Sequence, residues 1–338
     1  MSLKRVAIEA GVRTDVKEYC LVPGGKAYEV EVDADVASYI LDTESGLRLA
    51  CEPELVGLRM EREAVRAAQA VVSLISKLCD SKKVLFLHLL RASKGYGLHY
   101  ALRSSGFEVK EVSVRVAYTG STIGTHEGRE AKVVYSNLDQ VSEDDSVLVL
   151  ADTVATGQTV NLALDHLFKE AERRGARIRE VHVYGFLSEL GVKRVGEFLK
   201  KMDVSRVYFY ALQDLTALSS NNYDMPLYGP DLPSFRLHNL SSLGGVAAEE
   251  TLDRMLPYYF PGMDQPGDWS ERQCSLFNGE GYEKGRIVDH LERSLQTLEE
   301  LHDAVRAYPW YREWMEDVFL TRKRRLLDVL SRADFCET

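Results

Sequence analysis

The sequence of 338 residues is poor in several features that would place it outside ordinary globular proteins. Its five cysteines, Cys20, Cys51, Cys79, Cys274 and Cys336, are odd in number, widely spaced and without a CxxC pair. Neither a disulfide framework nor a zinc site is therefore expected, and a reducing cytoplasm fits best. Long apolar runs are missing too: Val84–Leu87 and Val147–Ala151 have the length of strands, far below the ~20 residues that cross a bilayer, so no membrane partner is expected. The Met1-Ser2-Leu3-Lys4 start has no apolar leader core. Positive charge is in deficit, with 42 Lys and Arg against 52 Asp and Glu and a net charge of -10. That balance opposes loose attraction to nucleic acid, so any phosphate site has to be local. Repeats and low-complexity segments are absent as well. What is present, 45% hydrophobic and 28% charged residues, describes a folded chain with material for about two domains at ~150 residues each.

Residues 1–50 alternate polar and apolar side chains, as in Tyr28-Glu29-Val30-Glu31-Val32, and contain a Pro23-Gly24-Gly25 turn, which predicts a β-rich arm. From Glu54, apolar residues at Leu55, Leu58, Val65, Ala68, Val71, Val72 and Ile75 recur at helical spacing. Val84–Leu90 then begins a series of strand-length apolar segments at Val109–Val116, Val147–Leu150, Val181–Phe186 and Val207–Leu212. Helical stretches at Asn161–Arg174 and Val192–Met202 separate the last three, with Gly175 placed to stop the first of them. Buried strands alternating with helices predict an α/β fold, a parallel sheet with helices on both faces. The polar stretch from Tyr118 to Asp145 reads as a long loop of the kind that forms lids. After Pro233 the sheet pattern ends, and long helices from about Gly285 and Trp310 predict a C-terminal helical appendage. The expected division is 1–50 arm, 51–240 sheet domain and 241–338 extension.

The run from Ser146 to Thr159 carries the most chemistry: a buried strand, Asp152, a turn of small residues (Thr153, Val154, Ala155, Thr156, Gly157), then Gln158 and Thr159 entering a helix. Free N–H groups, the positive end of the helix dipole and two Thr hydroxyls converge there, which suits a phosphate. Asp152 is placed to accept hydrogen bonds from sugar hydroxyls. The plainer reading is that the threonines only cap the helix, but strand, acid, A-T-G-x-T and helix occur here in order.

At these residues the chain resembles the type I phosphoribosyltransferases, in whose fingerprint the loop binds the 5′-phosphate of phosphoribosyl diphosphate (PRPP) and the acids hold the ribose. Further segments resemble the uracil phosphoribosyltransferase branch. Leu89-Leu90-Arg91-Ala92 is similar to the segment that receives the diphosphate, which implies that Arg91, Ala92, Ser93 and Lys94 bind PRPP. Tyr210-Ala211-Leu212-Gln213-Asp214, with Tyr223, Asp224, Met225, Pro226, Leu227, Tyr228, Gly229 and Asp231, resembles the branch's base-recognition segments. The resemblance covers residues 55–235 and implies a PRPP-dependent transferase of pyrimidine salvage acting on a uracil-like base. It further implies Mg²⁺ as cofactor, held mainly by diphosphate oxygens with no carboxylate cage, a homodimer, and Asp152, Arg91 and Arg115 in catalysis. The chain departs from the pattern with Ala151 at the first acidic position, Asp152 where the branch has Pro, Ser93 and Leu227 in place of glycines, and Pro230 displacing the final acid. Ala151 and the appendage support a second reading, a non-catalytic PRPP- or nucleotide-binding regulatory protein. A third is an α/β scaffold with an empty site.

Other residues carry plainer expectations. His126, Glu127 and Arg129 in the long loop are candidates to close over diphosphate or to be solvated. His88 and His99 read as hydrogen-bonded core residues. Tyr308, Pro309, Trp310, Tyr311 and Trp314 are expected to pack the appendage, and Arg322-Lys323-Arg324-Arg325 to form a solvated helix face.

Overall fold

The computed structural model describes residues 11–119, 130–228, 245–307, 311–332 and 334–336. The expectations for His126, Glu127, Arg129, Gly229, Pro230, Asp231, Tyr308, Pro309 and Trp310 lie outside the described residues.

Among the described residues nine strands form one sheet: β1 (Lys17–Val22), β2 (Gly25–Val30), β3 (Ala37–Thr43), β4 (Lys83–Leu90), β5 (Glu108–Thr119), β6 (Glu130–Asn137), β7 (Val147–Ala151), β8 (Glu180–Ser188) and β9 (Arg206–Thr216). Their order is β1-β2-β3-β9-β8-β7-β4-β5-β6. The six strands from β3 to β5 in that order are parallel, and antiparallel neighbours flank them at both edges. Among the described residues the helices are α1 (Glu44–Cys51), α2 (Gly57–Leu78), α3 (Leu98–Ser104), α4 (Gln158–Arg173), α5 (Glu189–Lys201), α6 (Glu249–Met255), α7 (Ile287–Val305) and α8 (Glu313–Leu330). The hairpin of β10 (Ser275–Phe277) and β11 (Tyr282–Lys284) stands apart from the sheet.

Two apolar cores lie on the two faces, as the period-2 geometry of a strand requires. Along β4, Val84 and Phe86 join one core with α2, α7 and α8, while Leu85, Leu87 and Leu89 join the other with α4 and α5. Helix α2 buries Met60, Ala64, Ala67, Ala68, Val71, Leu74 and Ile75 as one stripe. The α/β arrangement expected from the sequence is present: each of the five apolar segments read as strands lies within a parallel strand, with ends that differ by up to four residues, and the helices read between them shift by up to three residues at their ends.

Four readings are corrected. Residues 17–43 are not a separate arm: β3 pairs in parallel with β9, and Ile40 and Leu41 are buried, because the antiparallel β1–β3 meander extends the sheet edge. Part of the 118–145 stretch read as a loop is strand β6, whose alternating Ala131, Val133 and Tyr135 pair antiparallel with β5. Arg322 is not solvated; it is buried and bonded to Glu54 at 2.7 Å. Finally, Cys274 and Cys336 form a disulfide. The pair is invisible in spacing because the C-terminal tail folds back to reach it, with Leu58 N–H donating to the Phe335 carbonyl at 3.2 Å. The expectation of thiols alone, on which the cytoplasmic placement rested, goes no further. Among the described residues no helix is long and apolar enough to cross a membrane.

Candidate functional site

Strand β4 is followed in the chain by β5 on one side, while β7 lies on its other side and leads on to β8 and β9. The connection reverses direction between β4 and β7, and the loops leaving their carboxyl ends border a crevice of the kind where open α/β sheets bind ligands. Those loops are 91–97 and 152–157, the two segments singled out in the sequence. The Tyr96 and Thr153 hydroxyls join them at 2.5 Å.

The second loop is built as a helix entrance. Val154 N–H donates to the Phe186 carbonyl at 2.8 Å, and Ser188 donates its hydroxyl to the Ala155 carbonyl at 2.5 Å while accepting from Gly191 N–H at 2.9 Å. Gly157 then takes φ +76°, where an added Cβ would meet Val195 at 2.8 Å, and α4 begins. Among the described residues, no backbone hydrogen bond is made by the N–H groups of Thr156, Gly157, Gln158 or Thr159. Four unbonded donors at the positive end of a 16-residue helix form an anion cradle. The Thr159 hydroxyl is 2.8 Å from that of Tyr118 at the end of β5.

Asp152 sits at the root of this loop, 8% exposed, its N–H bonded to the Tyr184 carbonyl at 2.9 Å. Burial pushes its carboxyl up to about 7, opposed by a hydrogen bond from Thr153 N–H. Opposite it, Gly185 at φ +146° has no room for a side chain: a Cβ would stand 1.9 Å from the Asp152 carbonyl oxygen.

On the other side of the crevice, the Leu90–Arg91 peptide is cis and Ser93–Tyr96 forms one 3-10 turn. Ser93 is buried beside His88, and the Ala92 carbonyl accepts from Gln273 at 3.1 Å. Tyr96 is stacked on Trp269, with ring centroids 4.6 Å apart, so a residue from the C-terminal part of the chain forms the wall behind this turn. Arg91, Lys94 and Arg115 all lie here, and each meets the β10–β11 hairpin: Arg91 Nε is 3.3 Å from Glu283, Arg115 donates to the Asn278 carbonyl at 3.1 Å, and Lys94 is 5.4 Å from the Phe277 ring centre.

Solved structures similar to the chain are phosphoribosyltransferases. The adenine phosphoribosyltransferase of Trypanosoma brucei, in complex with AMP, pyrophosphate and ribose-5-phosphate, shares 16% identity over 54% of this chain and 85% of that one, with a TM-score of 0.36. The Leishmania donovani adenine enzyme shares 13% over 54% and 86%, with a TM-score of 0.35. A hypoxanthine-guanine enzyme from Bacillus anthracis shares 14% over 39% and 71%, with a TM-score of 0.28. No family model and no curated protein matches the chain. At these scores the likeness assigns no residue a role, and each role below rests on the site itself.

The segment expected to read a base follows β9. Asp214 is buried and accepts from Tyr228 and, at 2.9 Å, from Gln265; burial lifts its carboxyl to about 7. Met225 N–H donates to the Asp264 carboxylate at 2.7 Å and the Met225 carbonyl accepts from Gln265 at 3.0 Å. Leu227 N–H donates to the Met263 carbonyl at 2.8 Å, and its carbonyl accepts from Gly262 at 2.9 Å. The backbone groups of Met225 and Leu227 in this segment are thus already bonded to residues 262–265. Tyr223, Asp224 and Pro226 instead line a cavity of about 330 Å³, whose far wall includes Asp264, His290 and Arg293.

Of the two histidines near the first turn, His88 is a hydrogen-bonded core residue, as expected, whereas the buried Nδ1 of His99 has no hydrogen-bond partner among the described residues. His88 is buried and lies 2.6 Å from Glu111, which holds the Glu111 carboxyl down at about 2, while burial lowers His99 to about 3. At the opposite end of the sheet, Cys79, Glu180 and His182 bring three metal-type donors together. Glu180 is already paired with Arg206 and with His182, and the Cys79 thiol is pushed up to about 11 by burial, so the trio is a self-satisfied network.

Sequence reasoning missed Tyr96, Tyr118, Gly185, Trp269, Asn278 and Glu283. Only Gly185, a glycine inside a strand, carried a readable signal; the others come into place through contacts across long stretches of chain.

Proposed function

We propose that the protein transfers the ribose 5-phosphate of PRPP to a nucleobase and releases diphosphate. The observation that carries this reading is the set of four unbonded N–H groups at Thr156–Thr159, beside a buried carboxylate, at the reversal point of a parallel sheet. In the reaction the anomeric C–O bond breaks with its electron pair leaving on diphosphate, a base nitrogen bonds to the same carbon, and that nitrogen's proton is released. Positive charge grows on the sugar while negative charge grows on the departing group, so positioning and electrostatics do the work and no side-chain nucleophile is required. Thr156, Gly157, Gln158 and Thr159 hold the 5′-phosphate, Asp152 orients the ribose hydroxyls, and Arg91, Lys94 and Arg115 neutralise the diphosphate.

Mg²⁺ fits this donor set: the Asp152 carboxylate has no ion-pair partner among the described residues, and one carboxylate with ligand oxygens and water is a common magnesium arrangement. When bound, the ion adds positive charge where the leaving group develops its own. The homodimer is carried over from the resemblance and is tested by molecular mass in solution.

For the base, the sequence of the 222–231 segment supports uracil, whereas its backbone groups at 225 and 227 are committed to residues 262–265. Recognition then falls to Tyr223 and Asp224 at the cavity. A regulatory protein that binds PRPP or a nucleotide without turnover is the second reading, and one observation favours it: all three cations of the diphosphate side meet the C-terminal hairpin. Incubation with Mg²⁺, PRPP and uracil, adenine, hypoxanthine or guanine separates the two. Diphosphate release with one base supports the transferase and names its base; PRPP binding with no release from any of them supports the regulatory reading.

A further inference from the structure

Among the described residues the hairpin Ser275–Lys284 touches Arg91, Lys94 and Arg115 together, and its own construction explains how it is held there. Its turn is shaped by Asn278, whose side-chain oxygen accepts from Glu280 N–H at 2.8 Å and Gly281 N–H at 2.9 Å. The Asn278 amide donates to Glu283 and so fixes the direction of that carboxylate. Gly279 at φ +109° lets the tip press against Tyr135 of β6, where a Cβ would come within 2.6 Å of the ring. The root is clamped: Cys274 is disulfide-bonded to Cys336, its N–H donates to Glu61 at 3.2 Å, and its carbonyl accepts from Gly285 at 3.1 Å. Movement of the hairpin is thereby confined to the ten residues between the clamps.

The contact at the tip is of a different kind from the root. The Arg91 and Glu283 side chains are 33% and 36% exposed, and a pair in that setting contributes little to stability. The Asn278 amide, followed by Arg91 and Arg115, holds the Glu283 carboxyl below its ordinary range, so it is anionic at neutral pH. Arg91 Nε is buried, yet makes no well-directed hydrogen bond among the described residues. A buried donor left in this state is completed by a ligand with better geometry, and a polyanion offers several charge-assisted bonds where Glu283 offers one weak pair.

We infer that Glu283 is an internal anion seated in the subsite of Arg91, Lys94 and Arg115, and that the hairpin is a plug which a diphosphate group displaces. This rests on the proposed function for the identity of the subsite, and makes Glu283 a specificity-determining residue. A ligand with diphosphate charge outcompetes the carboxylate, while a ligand carrying a single phosphate at the α4 cradle leaves the plug in place.

The test uses the full-length protein and Glu283→Gln, which keeps the size and the Asn278 contact but removes the charge. Inorganic diphosphate with Mg²⁺ and, separately, ribose 5-phosphate are titrated calorimetrically into both. The plug predicts that Glu283→Gln binds diphosphate about 3–10-fold more tightly than the natural sequence, a difference of about 0.7–1.4 kcal/mol, with ribose 5-phosphate affinity the same in both. Unchanged or weaker diphosphate binding in Glu283→Gln overturns the plug, as does failure of both proteins to bind diphosphate. Tighter diphosphate binding by Glu283→Gln with no ribose 5-phosphate binding by either protein leaves the plug standing and removes the PRPP reading instead. Arg91→Gln, made alongside, is expected to abolish the gain when combined with Glu283→Gln; a gain that persists overturns the assignment of the subsite.

Discussion

Arg272 donates from Nη2 to the Leu55 carbonyl at 2.9 Å, joining the C-terminal segment to the stretch between α1 and α2. The guanidinium is fully buried and also bonds the carbonyls of Leu49, Glu52 and Pro266, so it holds together the frame from which Trp269 and the hairpin reach the crevice. Burial lowers its pKa to about 10, and it remains charged at neutral pH. Arg272→Met leaves several buried carbonyls without a partner and is expected to lower stability by about 3–5 kcal/mol. Denaturant unfolding measures this, and a loss under 1 kcal/mol would show that water replaces the guanidinium.

Asp152 couples function to a stability cost. Its carboxyl ionises at about 7 where it would ordinarily do so near 4, so at pH 8 the folded protein carries a buried charge that the unfolded chain solvates freely. Asp152→Asn removes that charge at little change in shape. Thermal unfolding at pH 8 is expected to move to higher temperature in the variant, while diphosphate release falls about 100-fold, on the order of 3 kcal/mol in the barrier. A stable variant that keeps full turnover would contradict the role given to Asp152.

Asp214 provides the pH dependence free of ligand effects. Its folded pKa, about 7, is raised by burial above the unfolded value, so the folded state binds more protons than the unfolded state between about pH 4 and pH 7. Stability from this group is therefore full below pH 4 and is lost as pH rises through 7. Asp264, lifted to about 8 by burial and then by Asp224, acts in the same direction. The buried His99 and His290, both near 3, act oppositely, their contribution being lost as pH falls from about 6.5. Chemical unfolding at pH 5.5 and pH 8.5 should show a smaller difference for Asp214→Asn than for the natural sequence; an equal difference would assign the loss elsewhere.

Gly157 links loop geometry to binding. Gly157→Ala forces a side chain at φ +76° against Val195 and turns the cradle's N–H groups out of line. Stability is expected to fall by about 1–2 kcal/mol, with ribose 5-phosphate affinity reduced about tenfold or more by calorimetry. Loss of stability with unchanged affinity would separate the cradle from the phosphate.

How much of this was legible beforehand follows from the range of each interaction. The strands from Val84 to Leu212 and the helix entrance at Gly157 are local: apolar runs, a strand, an acid and a small-residue turn follow one another in the chain, and the structure keeps them in that order. The Tyr96 and Thr153 hydroxyls meet because the sheet reverses between β4 and β7, a property of strand order that no single segment carries. Arg91 was found from its own segment, yet its partner Glu283 lies far along the chain, in a stretch where Gly and Pro punctuation gave no period to read. The base loop failed differently. Its sequence resembled a base-recognition segment, but pairing of Met225 and Leu227 with residues 262–265 depends on a segment outside the resemblance. Likewise Arg322 looked like part of a solvated basic face until Glu54, in the stretch between α1 and α2, supplied its buried partner.

The central claim is that the amides of Thr156–Thr159 grip a sugar phosphate. A crystal structure of the protein soaked with ribose 5-phosphate tests it directly. The account predicts phosphate oxygens within hydrogen-bond distance of those four N–H groups and ribose hydroxyls facing Asp152; a phosphate bound elsewhere, or a crevice left empty at saturating ligand, would contradict it.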